Sequence, residues 1–241
     1  MTKSGNEQQI FPLVKELQNF ALNQAGSMMI LRSLGYGLLL LALFDIVEMS
    51  IPLNLMNPTW EFNTFGAIVE RVPVPLIGFA LIFYGNLYSR GKWELLCLKL
   101  LSWLTLFLAV LFLLLIPLGI SNTIRLGKQS DFQINTLSQQ QISQAEQIEK
   151  QVSQATPAQI EIFLKAQRRT LDNKTNQEKK KQILSEISQA KEQIKTKAQA
   201  TQSSRNLTLL KSSVKWNLGA LVSGVLFFIF WKTTKWARIK L

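Results

Sequence analysis

Four long apolar runs constrain this chain more than any other feature of its sequence. They cover residues 28–51, 72–88, 93–120 and 214–231. Each approaches or exceeds the ~20 residues that a helix needs to cross ~30 Å of hydrocarbon. A backbone in lipid must satisfy its own hydrogen bonds, and these runs lack the alternation of a barrel strand. The sequence therefore predicts an all-α integral membrane protein with four transmembrane helices.

Polar sequence surrounds these runs and divides the chain into segments. Residues 121–212 contain 17 Gln and carry 15 Lys and Arg against 8 Asp and Glu, a net charge of +7. This segment is predicted to be a helical, coiled-coil-like extramembrane insert between spans three and four. Four parts result: a polar segment with a possible surface helix (1–27), a three-span region (28–120), the insert (121–212), and a fourth span with a basic tail (213–241).

Composition argues against catalysis. The chain has no His, its single Cys97 lies inside an apolar run, and no glycine-rich phosphate loop or serine nucleophile motif is found. We therefore expect no enzyme activity, no cofactor and no metal site. The net charge of +12 favours contact with lipid headgroups over nucleic acid, because the basic residues of the insert have no aromatic residues between them.

Lysine and arginine in the short flanking segments predict the orientation. Cations flank span one, join spans two and three, and follow span four: Lys3, Lys15, Arg32, Arg90, Lys92, Lys232, Lys235, Arg238 and Lys240. The positive-inside rule places these residues, and hence both termini, in the cytoplasm and the insert outside it. Arg125, Lys128, Lys211 and Lys215 favour the opposite orientation, but long loops follow the rule poorly.

Helix boundaries can be read at three polar positions. Asn57 followed by Pro58 predicts the start of a short helix near 58–71, which we expect in the membrane interface and ending before Pro73. In the insert, Thr156 with Gln159 and Thr175 with Glu178 have the spacing of capping boxes. The helix after Thr175 is expected to continue into span four.

Two groups of residues are candidate functional sites. The first is an intramembrane or interfacial polar cluster of Asp45, Glu48, Glu70 and Arg71, whose acids could bind a cation or relay a proton. The alternative is that they lie in water at the outer interface. The second is a seam for a partner helix, formed by Ile183, Ile187, Ala190 and Ile194 at coiled-coil spacing.

One stretch resembles a known family. Residues 57–85 read NPTWEFNTFGAIVERVPVPLIGFALIFYG, which is similar to the HpsJ-like membrane proteins of cyanobacteria. That family is linked by name to hormogonium polysaccharide production, and some members are described as associated with cyanoexosortases. The resemblance implies a role in exopolysaccharide or envelope assembly, with no defined catalytic residues. We expect the plasma membrane rather than the thylakoid.

These observations favour a non-catalytic accessory or scaffold protein that binds a membrane protein or a second copy of itself. Two alternatives belong to other classes. A small transporter or ion-coupled subunit would use the polar cluster, and a lipid-binding, membrane-shaping protein would use the basic tail and the surface helix.

Overall fold

The structure is a computed structural model that describes residues 4–85, 90–166 and 175–239. Its regular secondary structure within these residues is entirely α-helical. The helices are α1 (Ser4–Ser50), α2 (Pro58–Arg71), α3 (Pro73–Phe83), α4 (Lys92–Gln154), α5 (Pro157–Ala166), α6 (Asn176–Thr233) and α7 (Lys235–Ile239). Lys3, Lys240 and residues 86–88 of the predicted second span lie outside the described residues. The all-α prediction is confirmed for the described part of the chain.

Two compact units divide the helices. Unit 1 comprises Met1–Asn122 and Ser212–Leu241, and unit 2 comprises Thr123–Lys211. Helices α4 and α6 each contribute to both units. As the sequence predicted, the helix that begins after Thr175 continues into the fourth apolar run.

Helix α1 contains both the polar start of the chain and the first apolar run. It is continuous from Ser4, so the predicted surface helix within residues 1–27 is the first part of α1 rather than a separate element. Its contact with a membrane surface stays a prediction.

Unit 1 is built around aromatic side chains that join three helices. Phe227 of α6 packs edge-on against Phe79 of α3, at 5.8 Å between ring centroids, and stacks on Phe112 of α4 at 5.7 Å. Ala109 and Ala220 are buried in the same cluster. Rings pack favourably in both geometries, so these contacts define how α3, α4 and α6 meet.

Helices α2 and α3 are separated only by a local deviation at Val72. The Asn57 side chain accepts a hydrogen bond from the Thr59 N–H at 3.0 Å, and Pro58 occupies the first turn, as the sequence predicted. The prolines do not end the helical path, because Pro73 lies in the first turn of α3, where no N–H is needed, and Val72 keeps a right-handed helical conformation. Residues from Pro58 to Phe83 thus form one apolar stretch of 26 residues.

The buried face of α2 is formed by Phe62, Phe65 and Val69, whereas Trp60 is only partly covered. The ring of Trp216 in α6 lies 4.6 Å from that of Phe62 between centroids and covers this face. Helix α2 is therefore packed against α6 within unit 1, and its expected place in a membrane interface stays a prediction.

Unit 2 pairs its parts of α4 and α6 in antiparallel directions. Arg205 donates to the Ser130 hydroxyl at 3.1 Å, whereas further along the pair Lys191 contacts Glu149 at 2.6 Å. Val152, Ile160 and Ile183 form its buried cluster. Coiled-coil geometry is not established by these contacts and stays a prediction.

At both predicted capping boxes of unit 2, the threonine amide donates to the side chain three residues later. The Thr156 backbone N–H donates to Gln159 Oε1 at 2.9 Å, and the Thr175 N–H donates to Glu178 Oε2 at 2.9 Å. Each bond satisfies an amide before the first helical turn. The starts of α5 and α6 therefore follow from local sequence.

Candidate functional site

The predicted polar cluster is divided between different partners in unit 1. Asp45 at the end of α1 and Arg71 at the end of α2 form an ion pair, with Oδ1 and Nη1 separated by 3.6 Å and both side chains half exposed. Glu48 is exposed one turn further along α1, and its carboxylate forms no ion pair with another of the described residues. The structure thus brings two of the four predicted residues together.

Glu70 belongs to a separate contact with α6. Its Oε1 lies 2.5 Å from Lys215 Nζ and accepts a hydrogen bond from the Trp216 indole N–H at 3.1 Å. Neighbouring positions on a helix point in different directions, so Glu70 and Arg71 cannot both face α1. Of the four expected residues, Asp45 and Arg71 therefore form one ion pair, Glu70 contacts Lys215 and Trp216 instead, and Glu48 is exposed.

A second polar cluster in unit 1 joins Glu94 to Arg32 and Arg90, two arginines that were read from the sequence only as orientation signals. Arg32 Nη1 of α1 and Arg90 Nη1 lie 3.5 Å and 3.7 Å from the same oxygen, Glu94 Oε1 of α4. The Arg32 side chain is 10% exposed and that of Arg90 is 0% exposed. The Glu94 carboxylate therefore contacts both guanidinium groups.

The Arg90 side chain is fixed by further contacts. It donates to the Ile82 and Tyr84 carbonyl oxygens at 3.1 Å and 3.2 Å and lies over the Trp236 ring at 5.4 Å from its centroid. Burial is the main cause that lowers the pKa of Arg90, the charge of Arg32 lowers it further, and Glu94 raises it. Arginine nevertheless stays protonated at neutral pH because its ordinary pKa is so high.

Arg238 of α7 is held by aromatic rings. It lies 4.3 Å from the Trp231 ring centroid and 5.8 Å from that of Trp103, and it donates to the Trp231 carbonyl oxygen at 2.9 Å. Nearby, the Ser102 and Thr234 hydroxyls form a buried hydrogen bond of 2.8 Å. These contacts attach the end of α6 and the start of α7 to α4.

Glu94 is the residue of this second cluster that the sequence analysis did not single out. Arg90 and Glu94 are four positions apart, a spacing that favours an ion pair on one helical face. That signal was available in the sequence. The contact with Arg32 was not, because it depends on how α1 packs against α4.

The predicted seam of unit 2 faces the same chain. Ile183 is buried against Val152 and Ile160, and Ile187 packs on this cluster. Ala190 and Ile194 line a groove opposite Ile134, Leu137 and other residues of α4. These residues contact α4 and α5 of the same chain, and their binding to a helix of another chain stays a prediction.

No group of three or more His, Cys, Asp or Glu residues that could hold a metal ion occurs in the part of the chain that the structure describes. The charged residues described above form ion pairs. Asp45 with Arg71 presents a hydrogen-bond acceptor beside a donor, whereas Arg32 and Arg90 with Glu94 form a largely buried charge cluster.

Together, these features define an all-helical protein that has, among its described residues, four helices long and apolar enough to cross a membrane. The chain belongs to the HpsJ-like family, whose family model, described as HpsJ-like protein, matches residues 26–235. The resemblance noted in residues 57–85 is thereby confirmed. No curated protein and no solved structure matches the chain.

Proposed function

We propose that this protein is a non-catalytic membrane accessory protein that supports polysaccharide or envelope assembly by binding another membrane protein. Membership of the HpsJ-like family supports the link to polysaccharide. The docking role rests on the incomplete packing of unit 2. The membrane location rests on the large apolar side chains that are exposed on unit 1.

The surface of unit 1 supports membrane insertion. Large apolar side chains such as Leu41, Phe44, Phe107 and Leu114 are more than half exposed. A contiguous apolar surface of this kind is unfavourable in water and marks a membrane or protein contact. We infer that lipid covers it and that the four apolar helices span the bilayer.

Unit 2 carries the observation that favours a scaffold. Its buried apolar side chains within the described residues are Val152, Ile160 and Ile183, whereas Phe132 is 73% and Leu137 is 60% exposed. At ~25 cal/mol per Å² of buried apolar area, a core of this size contributes little stability. A helical partner that covers Phe132 and Leu137 would add the missing buried area.

The contacts of unit 1 also support the proposed orientation. Arg32 near the start of the first span, Arg90 between the second and third, and Trp236 after the fourth meet at one end of the unit. The positive-inside rule places all three of these flanking segments on the cytoplasmic side. We therefore propose cytoplasmic termini, with unit 2 outside the cytoplasm and the protein in the plasma membrane.

The transporter alternative receives less support from the geometry. It requires Asp45, Glu48, Glu70 and Arg71 to face one interior cavity. Glu70 instead contacts Lys215, and Glu48 is exposed. The four groups therefore do not share one path.

Co-purification of the full-length protein at its native level, followed by cross-linking and mass spectrometry, tests the scaffold proposal. We expect a membrane-protein partner whose cross-links lie near Phe132 and Leu137. Replacing both residues with Lys should abolish co-purification, because two charges would be buried at the contact. The matched control replaces the exposed Gln133 and Gln140 with Lys. A lone monomer, or equal partner recovery from both variants, would contradict the proposal.

A further inference from the structure

An apolar crevice of about 270 Å³ lies in unit 1 between α1, the junction of α2 with α3, and α4. Ala42 and Ile46 line it from α1, Pro75 from α3, and Leu108 and Leu111 from α4. The charged side chains on its wall are Asp45 and Arg71, which form the ion pair described above. The crevice therefore has a hydrocarbon lining and one polar end.

The lining restricts what can fill this crevice. An ordered water needs two to four polar partners, and only the polar end supplies them. Phe107 on its wall is 61% exposed, on the surface that we infer to be covered by lipid. A flexible hydrocarbon chain of that lipid fits the lining, because it is narrow and needs no hydrogen bond.

The polar end indicates the kind of headgroup. The charges of Asp45 and Arg71 balance each other, and Glu48, one turn away on α1, adds a negative charge. A phosphate would therefore be repelled by two carboxylates while it is attracted by one guanidinium. Hydroxyl groups can donate to the Asp45 carboxylate and accept from Arg71 without disturbing this balance.

We propose that this crevice binds one hydrocarbon chain of a membrane lipid whose headgroup is uncharged and rich in hydroxyl groups, with that headgroup at the Asp45–Arg71 pair. The site rests on the membrane insertion proposed above. It adds a ligand class that the scaffold role does not require.

Photolabelling of the full-length protein in vesicles tests the site. The probe is a monoglucosyl diacylglycerol with a diazirine in the middle of one acyl chain, and its adducts are mapped by mass spectrometry. We expect adducts on the crevice residues within 42–49 and 107–112, in addition to the adducts that bulk lipid forms on outward-facing positions. Unlabelled monoglucosyl diacylglycerol should compete more strongly than phosphatidylglycerol with the same chains, and the reverse order would overturn the proposal.

Two variants in which an alanine is replaced with leucine control for general lipid contact. Ala42 is buried at the crevice, whereas Ala80 of α3 is exposed. Ala42→Leu should reduce crevice adducts at least about fivefold because added methyl groups occupy the space of the chain, and Ala80→Leu should leave them unchanged. Equal labelling of both variants would refute the site.

The double variant Asp45→Ala with Arg71→Ala, which removes both hydrogen-bonding side chains, provides a second test that does not depend on filling the crevice. It should keep the crevice adducts but lose the preference for the glucosyl competitor. A preference that persists in this variant would overturn the headgroup assignment. No adduct on any residue, outward-facing positions included, would instead overturn membrane insertion, and the crevice proposal with it.

Discussion

Two glycines set the distance between α1 and α3. A Cβ atom at Gly35 would lie 2.8 Å from Ile82 Cγ1 and 2.9 Å from the Gly78 carbonyl oxygen. In lipid, no hydrophobic driving force brings two helices together, so they associate through dispersion contacts. Small residues allow the helices to approach closely enough for such contacts. Gly78 could be recognised from the sequence as a close-contact position, but its partner required knowledge of which helix α3 meets.

Replacing Gly35 with Ala should therefore destabilise unit 1. Overpacking of this kind costs about 1–3 kcal/mol, because the carbonyl of Gly78 cannot move away without shifting α3. The control is Gly37→Ala on the same helix, where a Cβ would meet nothing within 4 Å. Denaturant unfolding in detergent should show a lower midpoint for Gly35→Ala only. Equal midpoints for the two variants would contradict the close contact.

Glu94 is the residue on which the buried arginine cluster depends. Glu94→Gln removes the carboxylate that balances Arg32 and Arg90 and leaves two guanidinium groups together in a poorly solvated place. Breaking a buried ion pair on one side costs about 3–5 kcal/mol, and partial exposure of Glu94 places the expected loss at the lower end.

The matched control is Glu48→Gln, at an exposed acid. This replacement should change the free energy of unfolding by less than about 0.5 kcal/mol. Thermal unfolding in detergent measures both variants. A Glu94→Gln protein as stable as the wild type would show that the cluster does not stabilise unit 1.

Among the elements, those set by local signals were predictable and those set by packing were not. Asn57, Thr156 and Thr175 mark helix starts through bonds within a few residues, so the starts of α2, α5 and α6 could be read from the chain. The continuation of α2 into α3 could not, since a residue before proline usually avoids the conformation that Val72 adopts. Packing of α2 and α3 in the core of unit 1 overrides that preference.

The capping box of α6 should stabilise the start of that helix. Glu178→Ala removes the acceptor of the Thr175 N–H, and loss of a cap costs about 1 kcal/mol. Gln177→Ala, at the adjacent exposed position, is the control. Hydrogen–deuterium exchange of the full-length protein should become faster in residues 176–183 for Glu178→Ala alone. Equal exchange in the two variants would argue against the cap.

At the scale of the whole molecule, the separation of apolar from polar sequence dominates. The four apolar helices, with their exposed leucine and phenylalanine side chains, contrast with the glutamine-rich unit 2. This contrast was fully visible in the sequence. The division of the predicted polar cluster was not, because it depends on the rotation of α2 about its own axis.

Cysteine labelling tests the orientation of the chain. Cys97 is first replaced with Ala, and single cysteines are introduced as Ser188→Cys in unit 2 and Lys235→Cys in α7. An impermeant maleimide should label Ser188→Cys in intact cells and Lys235→Cys only after lysis, because cations at the ends of spans are retained in the cytoplasm. The reverse pattern would invert the proposed topology.

Membrane insertion of the four apolar helices is the claim on which the rest depends, and alkaline carbonate extraction measures it most directly. Carbonate strips proteins that are bound only through charge, whereas helices buried in hydrocarbon remain. We predict that the full-length protein stays in the vesicle pellet after the wash. Its release into the supernatant would contradict the insertion of these helices.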